Sequence, residues 1–344
     1  MKDICVGKRD AADVEKDRKD CVWFSSVSDA LSSLDNGEEP VCIHLAPGVY
    51  RERVSLERSH VILKGEGDHP SDTVITADAR AVEILPDGEK RGTFRTQTFF
   101  LHASDVKLSN LTIENSAGPG KEAGQCIALY ADGDRLEFDR VRLIGQQDTL
   151  FTGPLPEKEK IPGGFRGPLE FAPRINGRQY YHDCEIEGNV DFIFGSGTAY
   201  FENCLIRCVL PCRKGEEEEF LKEYEKNPRP LGYITAASTP EGQEYGYVFQ
   251  NCRITGDERV RGFYLGRPWR EYAKVVFLNC EMGPQIEEAG WDDWQTSGIE
   301  KTAFFAEYQN RGEGASLKRA PFSRQLKEDE IAGFAKELVL QLHS

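Results

Sequence analysis

Two aspartates in apolar surroundings are the first residues of this sequence that could do chemistry. Asp148 lies in the segment QDTLF (147–151) and Asp191 in the segment VDFIFG (190–195). A carboxylate among aliphatic and aromatic side chains is costly unless it is paired or has a function. Two neighbouring carboxylates cannot both ionise easily, so they can separate into an acid and a nucleophile or base. The alternative interpretation is that each aspartate caps a turn.

A third segment, LGRPW (265–269), contains Arg267 and Trp269. Gly and Pro stiffen the chain around this arginine. A guanidinium can hold a carboxylate through two parallel hydrogen bonds, and an indole ring can pack on the face of a sugar. We therefore expect Arg267 to keep one aspartate ionised. The alternative is a surface arginine that stacks on the tryptophan.

A repeated pattern indicates how these residues are positioned. Each copy has a large apolar residue first, a polar residue third, and two apolar residues at the fourth and sixth positions. Apolar residues two apart are typical of a strand with one buried face. The six copies are LSNLTI (108–113), FDRVRL (138–143), YHDCEI (181–186), FENCLI (201–206), FQNCRI (249–254) and FLNCEM (277–282).

The first apolar residue of each copy is out of phase with the other two. A bend at the intervening polar residue would return it to the buried face, and Asn and Asp tolerate such bends. We expect these bends at Asn110, Asp183, Asn203, Asn251 and Asn279.

Short strands at such intervals predict an all-β fold, a right-handed parallel β-helix in one domain over residues 1–344. The copies that start at Tyr181 and Phe201 are 20 residues apart, which suits one coil. The alternative is a β-sandwich. Asp148 and Asp191 each follow the end of a copy by five residues (143 to 148 and 186 to 191), so we expect them on one face of the helix. Four cysteines should form part of an interior ladder: Cys184, Cys204, Cys252 and Cys280.

The two ends and two segments between the repeats have a different character. Residues 22–34 read as an amphipathic capping helix, and residues 326–342 have apolar residues at the spacing of a helix that lies along the outside of the coils. The Pro- and Gly-rich segment 153–178 and the acidic segment 214–230 are predicted to be inserted loops.

The net charge of the chain restricts the classes of binding partner that we expect. The chain of 344 residues carries 43 Lys and Arg against 58 Asp and Glu, a net charge of −15. Nucleic-acid binding and docking on anionic lipid both need a basic surface, so neither is expected. No apolar stretch is long enough to predict a transmembrane helix.

The N-terminal segment and the cysteines bear on location. The first 20 residues are charged throughout and lack the apolar core of a signal peptide, which predicts a cytoplasmic protein, or a secreted one if a leader has been removed. The ten cysteines contain no C-x2-C pair, so a zinc site is not expected. Buried, reduced cysteines fit the repeat better than a disulfide framework does.

Five segments in order along the chain resemble the pectin methylesterase family, which are carbohydrate esterases built on a parallel β-helix. The resemblance extends over nearly the whole chain. The segments are PGVYRE (47–52), QCIAL (125–129), QDTL (147–150), DFIFG (191–195) and LGRPW (265–269).

The resemblance implies a role for each matching residue. Asp191 would be the nucleophile that attacks a C6 methyl ester, Arg267 would hold it ionised, and Asp148 would be the acid and then the base. Side-chain amides of Gln125 and Gln147 would stabilise the oxyanion. Sugar or methyl contacts would come from Trp269, Phe194 and Tyr50. The resemblance implies no metal or organic cofactor, and a monomer.

The expected substrate is methyl-esterified homogalacturonan or its oligosaccharides. If the two inserted loops flank the groove, they would narrow it and favour short oligosaccharides. Two alternatives remain open at this level. One is a β-helical galacturonan hydrolase or lyase, which needs a different set of carboxylates or a calcium cluster. The other is a β-helix that binds pectin without catalysis.

Overall fold

The computed structural model describes residues 2–7 and 21–342, and the predicted parallel β-helix is confirmed. All strand pairs within its sheets are parallel. No helix in the described ranges is long and apolar enough to cross a membrane.

The strands in chain order are β1 (Lys2–Val6), β2 (Val22–Phe24), β3 (Val41–Leu45), β4 (Gly48–Arg51), β5 (Val54–Leu56), β6 (Val61–Gly65), β7 (Thr73–Ala77), β8 (Phe99–Leu101), β9 (Val106–Asn115), β10 (Leu129–Ala131), β11 (Leu136–Ile144), β12 (Leu150–Thr152), β13 (Arg178–His182), β14 (Glu185–Gly188), β15 (Val190–Gly195), β16 (Thr198–Glu202), β17 (Leu205–Cys208), β18 (Gly232–Ala237), β19 (Tyr247–Gln250), β20 (Arg253–Thr255), β21 (Phe263–Pro268), β22 (Lys274–Leu278), β23 (Glu281–Met282), β24 (Phe304–Tyr308) and β25 (Arg324–Gln325). The helices are α1 (Val27–Ser32), α2 (Gly120–Ala123), α3 (Glu217–Lys226), α4 (Ile299–Thr302) and α5 (Lys336–Val339), with 3-10 helices at Pro70–Asp72, Thr93–Arg95 and Glu328–Phe334.

The coils present three faces. Two of them merge into one large sheet because β9 and β11 run continuously across the bend between them. The third face is a separate sheet of short strands, in the order β5, β8, β10, β12, β15, β18 and β21. This third sheet carries the residues that the sequence singled out for chemistry.

The predicted bends are present. Asn110, Asp183, Asn203, Asn251 and Asn279 all have φ between 50° and 56°. In the remaining copy of the repeat, Arg140 takes the same conformation. The left-handed conformation turns the chain at this point, and the first apolar residue of every copy is buried in the core.

Aromatic side chains from successive coils stack in the interior. Phe138, Tyr181, Phe201, Phe249 and Phe277 form one column, with neighbouring ring centroids 4.4–4.6 Å apart and nearly parallel ring planes. The separation follows from the spacing of hydrogen-bonded strands, about 4.8 Å. The column therefore fixes the register of the coils as well as filling the core.

The predicted cysteine ladder lies next to this column. Cys184, Cys204, Cys252 and Cys280 are buried and free of disulfides. The thiol of each donates a weak hydrogen bond to the carbonyl of the aromatic residue one coil earlier, at Sγ to oxygen distances of 3.4–3.5 Å.

The two terminal predictions were wrong in their boundaries. Within 22–34 only α1 is helical, because residues 22–24 pair in parallel with β1 as strand β2. Within 326–342 the chain is a 3-10 helix followed by α5, separated at Ala335, whose ψ of 140° is extended. The expected position is correct, since Leu326, Val339 and Leu340 pack on the outer face of the large sheet.

The two inserts differ from each other. Segment 153–178 has no helix or strand until β13 begins at its last residue. Segment 214–230 is not a simple loop, because it contains α3. Acidic residues in the first turn of α3 favour the helix through its dipole, and Leu221 and Tyr224 anchor it to the core.

Candidate active site

The third sheet brings the two aspartates together. Leu150 of β12 pairs with Ile193 of β15, so Asp148 and Asp191 occupy equivalent positions on neighbouring coils. Both have positive φ, 66° for Asp148 and 51° for Asp191. The pairing of β15 with β18 is irregular at this point, as in a β-bulge. Bulges re-aim side chains, and this one accompanies the unusual conformation of Asp191.

Arg267 reaches Asp191 from two coils away. Its Nε lies 2.8 Å from Oδ1 of Asp191, and its Nη2 lies 2.6 Å from Oδ2. Strand β18 lies between β15 and β21, and its residue Ala236 pairs with Phe194 on one side and with Arg267 on the other. Its small side chain leaves room for the arginine. The predicted bidentate ion pair is therefore present.

Aromatic rings hold the guanidinium on both sides. Its carbon lies 3.8 Å from the ring centre of Tyr233 and 3.7 Å from that of Trp294. Cation–π contacts of this kind strengthen when they are shielded from water, and the side chain of Arg267 is only 15% exposed. Arg267 is therefore fixed in orientation as well as in charge.

Burial and neighbouring charges give the two carboxyls different pKa values. Burial raises the pKa of Asp148 well above its ordinary range, and the charge of Asp191 raises it further, against a lowering effect of Arg267. Burial also raises the pKa of Asp191, and the charge of Asp292 adds to the rise, but the hydrogen bonds and charge of Arg267 oppose it and leave a smaller rise than that of Asp148. The proton of the pair therefore resides on Asp148 and the negative charge on Asp191.

Seven of the eight predicted site residues line one cleft. Four of them stand around the aspartates and Arg267: Gln125, Gln147, Phe194 and Trp269. Helix α2 presses directly on Gln147, since a Cβ atom at Gly120 would lie 2.3 Å from Oε1 of Gln147. Glycine is thus required there for the amide to keep its place.

Tyr50 is the exception. Its ring is buried in the N-terminal coils, and its hydroxyl lies 2.8 Å from the carbonyl oxygen of Ala46 and 3.1 Å from that of Val6. The predicted sugar contact of Tyr50 is therefore replaced by a structural role. A short sequence motif does not show whether a side chain faces the core or the substrate groove.

Sequence reasoning missed several residues of the cleft. Phe94 stacks against Trp269 with ring centres 6.5 Å apart, and Trp294 covers Arg267. Both lie outside the repeats, so no periodicity pointed to them. Loop 153–178 contributes Lys160, and its neighbours Ile161, Gly164 and Phe165 complete that wall. The condition set for narrowing the groove is therefore met by loop 153–178 but not by segment 214–230, which contributes no residue to the cleft lining.

The cleft offers acid–base and nucleophilic groups rather than a metal-ligand set. Among the described residues, the one group of three His, Cys, Asp or Glu side chains with metal-ligand spacing lies on β1 and β3. The amides of Gln125 and Gln147 and the carboxyl of Asp148 line the same cleft as Asp191. This arrangement suits acyl transfer.

Comparison with known proteins agrees with this chemistry. The family model described as Pectinesterase matches residues 13–155 and 174–337. Pectinesterase 31 of Arabidopsis thaliana is 34% identical over 318 residues, which cover 90% of this chain and 86% of the relative.

Solved structures show the same similarity. A pectin methylesterase crystallised in complex with a hexasaccharide has a TM-score of 0.77 and 28% identity, over 100% of this chain and 98% of that one. The pectin methylesterase from Yersinia enterocolitica has a TM-score of 0.73 and 31% identity, over 93% of this chain and 100% of that one.

The buried proton of Asp148 should cost stability. Because its folded pKa exceeds its unfolded value, unfolding releases a proton between the two values. Each pH unit in that window lowers the free energy of unfolding by up to about 1.4 kcal/mol. We expect Asp148→Asn, which removes this titration, to be more stable than the parent at pH 7 and to lose this part of the pH slope.

Urea unfolding at pH 5 and pH 7 measures the effect. Asp68→Asn, at an exposed position, serves as the control and should match the parent at both values. An Asp148→Asn protein no more stable than the parent at pH 7 would show that this carboxyl does not carry a costly proton.

Proposed function

This chain belongs to the pectinesterase family, and we propose that the cleft around Asp148, Asp191 and Arg267 performs its reaction, the hydrolysis of the methyl esters of pectin. The observation that carries the proposal is the bidentate pair between Arg267 and Asp191 in the same cleft as Asp148, a carboxyl whose pKa is raised by burial and by the charge of Asp191. It places an ionised nucleophile and an acid in one cleft.

The first half of the reaction releases methanol. A carboxylate oxygen of Asp191 attacks the C6 carbonyl carbon of a methylated galacturonate. The oxyanion that forms accepts hydrogen bonds from the amides of Gln125 and Gln147. Asp148 gives its proton to the methoxy oxygen, the C–O bond breaks, and methanol leaves. The product is an anhydride between Asp191 and the sugar acid.

The second half restores the enzyme. Asp148, now a carboxylate, takes a proton from water as the water oxygen attacks the same carbonyl carbon. The bond to Asp191 breaks, and Arg267 stabilises the carboxylate that returns. The sugar leaves as galacturonic acid, which then loses its own proton to solvent, and Asp148 holds a proton again. One water molecule is consumed for each methanol released.

The chemistry of the cleft also argues against cutting the sugar chain. A glycoside hydrolase uses two carboxyls on opposite sides of a glycosidic bond. Here the two glutamines in the cleft provide amide donors suited to an ester oxyanion, which glycosidic cleavage does not form. A β-helix that binds pectin without catalysis would have no use for the protonated Asp148.

Methanol release from highly methylated pectin tests the function and the site together. We expect the parent to release methanol without new reducing ends. Asp191→Asn should lose at least about 10³-fold in kcat because the nucleophile is gone. Asp132→Asn is the matched control, since Asp132 is a buried aspartate on the same face but outside the cleft lining.

Two outcomes would contradict the proposal. New reducing ends would indicate glycosidic cleavage. Methanol release that survives in Asp191→Asn, with the variant folded by circular dichroism, would move the nucleophile elsewhere.

Loop 153–178 supports a preference for short substrates. The family match leaves out residues 156–173, and this stretch forms one wall of the cleft. The loop is tied to the site because Nη2 of Arg270 donates to the carbonyl of Lys158, at 2.7 Å. The α3 segment does not line this cleft, so the narrowing that we propose comes from one insert only.

A cytoplasmic location fits this preference, because imported fragments would be the pectin that such an enzyme meets. The free cysteines support a reducing compartment. We propose both a cytoplasmic location and a monomeric state for this protein.

Opening the loop wall should change the substrate preference. The parent is expected to act faster, per ester, on methylated trigalacturonate than on the polymer. The double variant Lys160→Ala/Ile161→Ala should bring the two values of kcat/KM closer, because both residues line the cleft. The control Lys158→Ala/Ile175→Ala removes two side chains of the same loop that do not line the cleft. In this control the ratio of the two kcat/KM values should be unchanged. Equal rates on both substrates in the parent would contradict the preference.

A further inference from the structure

A group of three potential metal ligands lies on the first coils, outside the cleft. Asp3 is on β1, and Cys42 and His44 are on β3. One ligand atom from each side chain lies within 4.8 Å of the other two. Nε2 of His44 is 3.0 Å from Oδ1 of Asp3. The three donors are therefore close enough to converge on one ion.

Strand geometry places these donors together. Asp3 and Cys42 are direct partners in the parallel pairing of β1 with β3, and His44 lies two residues beyond Cys42 on the same face. The alternating residues Ile43 and Leu45 point into the core. Cys42 is nearly buried while the side chain of Asp3 is 56% exposed, so the group is fixed on one side and open to solvent on the other.

A fourth side chain orients the imidazole. Oε1 of Glu66 lies 2.7 Å from Nδ1 of His44, and Nζ of Lys64 lies 3.5 Å from the same carboxylate oxygen. When Nδ1 donates its proton to Glu66, the lone pair of Nε2 points toward Asp3 and Cys42. Histidines that bind metals are held in this way by a carboxylate on the other ring nitrogen.

We propose that Asp3, Cys42 and His44 bind a divalent transition metal ion of the zinc class. A thiolate, an imidazole and a carboxylate together suit Zn²⁺, whereas Ca²⁺ and Mg²⁺ prefer oxygen ligands alone. On binding, the thiol of Cys42 releases its proton to solvent, and so does Nε2 of His44, which donates to Asp3 in the metal-free protein. Water completes a tetrahedral site, and Glu66 supports it from outside.

The bound ion would join β1 to β3 and so close the N-terminal coil. This is a structural role, separate from the ester chemistry of the cleft. The absence of C-x2-C pairs predicted that the chain has no zinc site. The C-x2-C pattern, however, detects only sites built from closely spaced cysteines. A mixed set drawn from two paired strands has no such signature.

Co²⁺ titration of the metal-free, full-length protein tests the site. We expect one equivalent to bind, with a near-ultraviolet absorption from thiolate-to-metal charge transfer and the visible bands of tetrahedral Co²⁺. Added Zn²⁺ should displace it and should raise the Tm of the parent. Glu66→Gln should keep the spectrum but weaken the affinity by about 10- to 100-fold.

Variants decide whether these residues are the ligands. Cys42→Ser and His44→Gln should each lose the charge-transfer band and the rise in Tm, while methanol release reports that they are folded. Cys212→Ser, at a partly exposed cysteine elsewhere, should bind as the parent does. No band in the parent, or a band that persists in Cys42→Ser or His44→Gln, would overturn the proposal and leave the group as a hydrogen-bonded ion pair.

Discussion

The ion pair between Arg267 and Asp191 is the interaction on which the active site depends. A carboxylate removed from water is strongly disfavoured unless a countercharge meets it with good geometry. Arg267 does so through two short hydrogen bonds, and the rings of Tyr233 and Trp294 leave it no other position. Without this pair, burial would put a proton on both aspartates, and the cleft would have no nucleophile.

The β-helix makes that ion pair possible because its coils repeat at a fixed spacing. Each coil advances by one strand spacing, so equivalent positions on successive coils are neighbours whatever the length of the loops between them. Asp148 and Asp191 are 43 positions apart in the chain (191 − 148), yet occupy equivalent positions on adjacent coils. The aromatic column and the left-handed bends keep that register along the core.

The repeat could be predicted from the sequence because it follows from local rules, and the proximity of Asp148 and Asp191 because both have the same phase in neighbouring coils. Gln125 and Gln147 were indicated only by the family resemblance. Asparagine at a bend and apolar residues in strand phase have the same consequence in every coil. Predictions failed where tertiary contacts decide. Tyr50 belongs to a matching motif but faces the core, and the helical pattern of residues 326–342 breaks at Ala335. Trp294 could not be placed at all, since its importance comes from stacking on a distant arginine.

The proposed mechanism requires a protonated Asp148 and an ionised Asp191 in the working enzyme. Carbon-13 NMR of protein labelled at the aspartate carboxyl carbons, assigned with Asp148→Asn and Asp191→Asn, measures both ionisation states across pH. At any pH where methanol is released, we expect the signal of an acid for Asp148 and of a carboxylate for Asp191. Because Arg267 opposes the rise that burial gives the pKa of Asp191, Arg267→Gln should raise that pKa further. A proton on Asp191 with Asp148 ionised, in the active parent enzyme, would contradict the account.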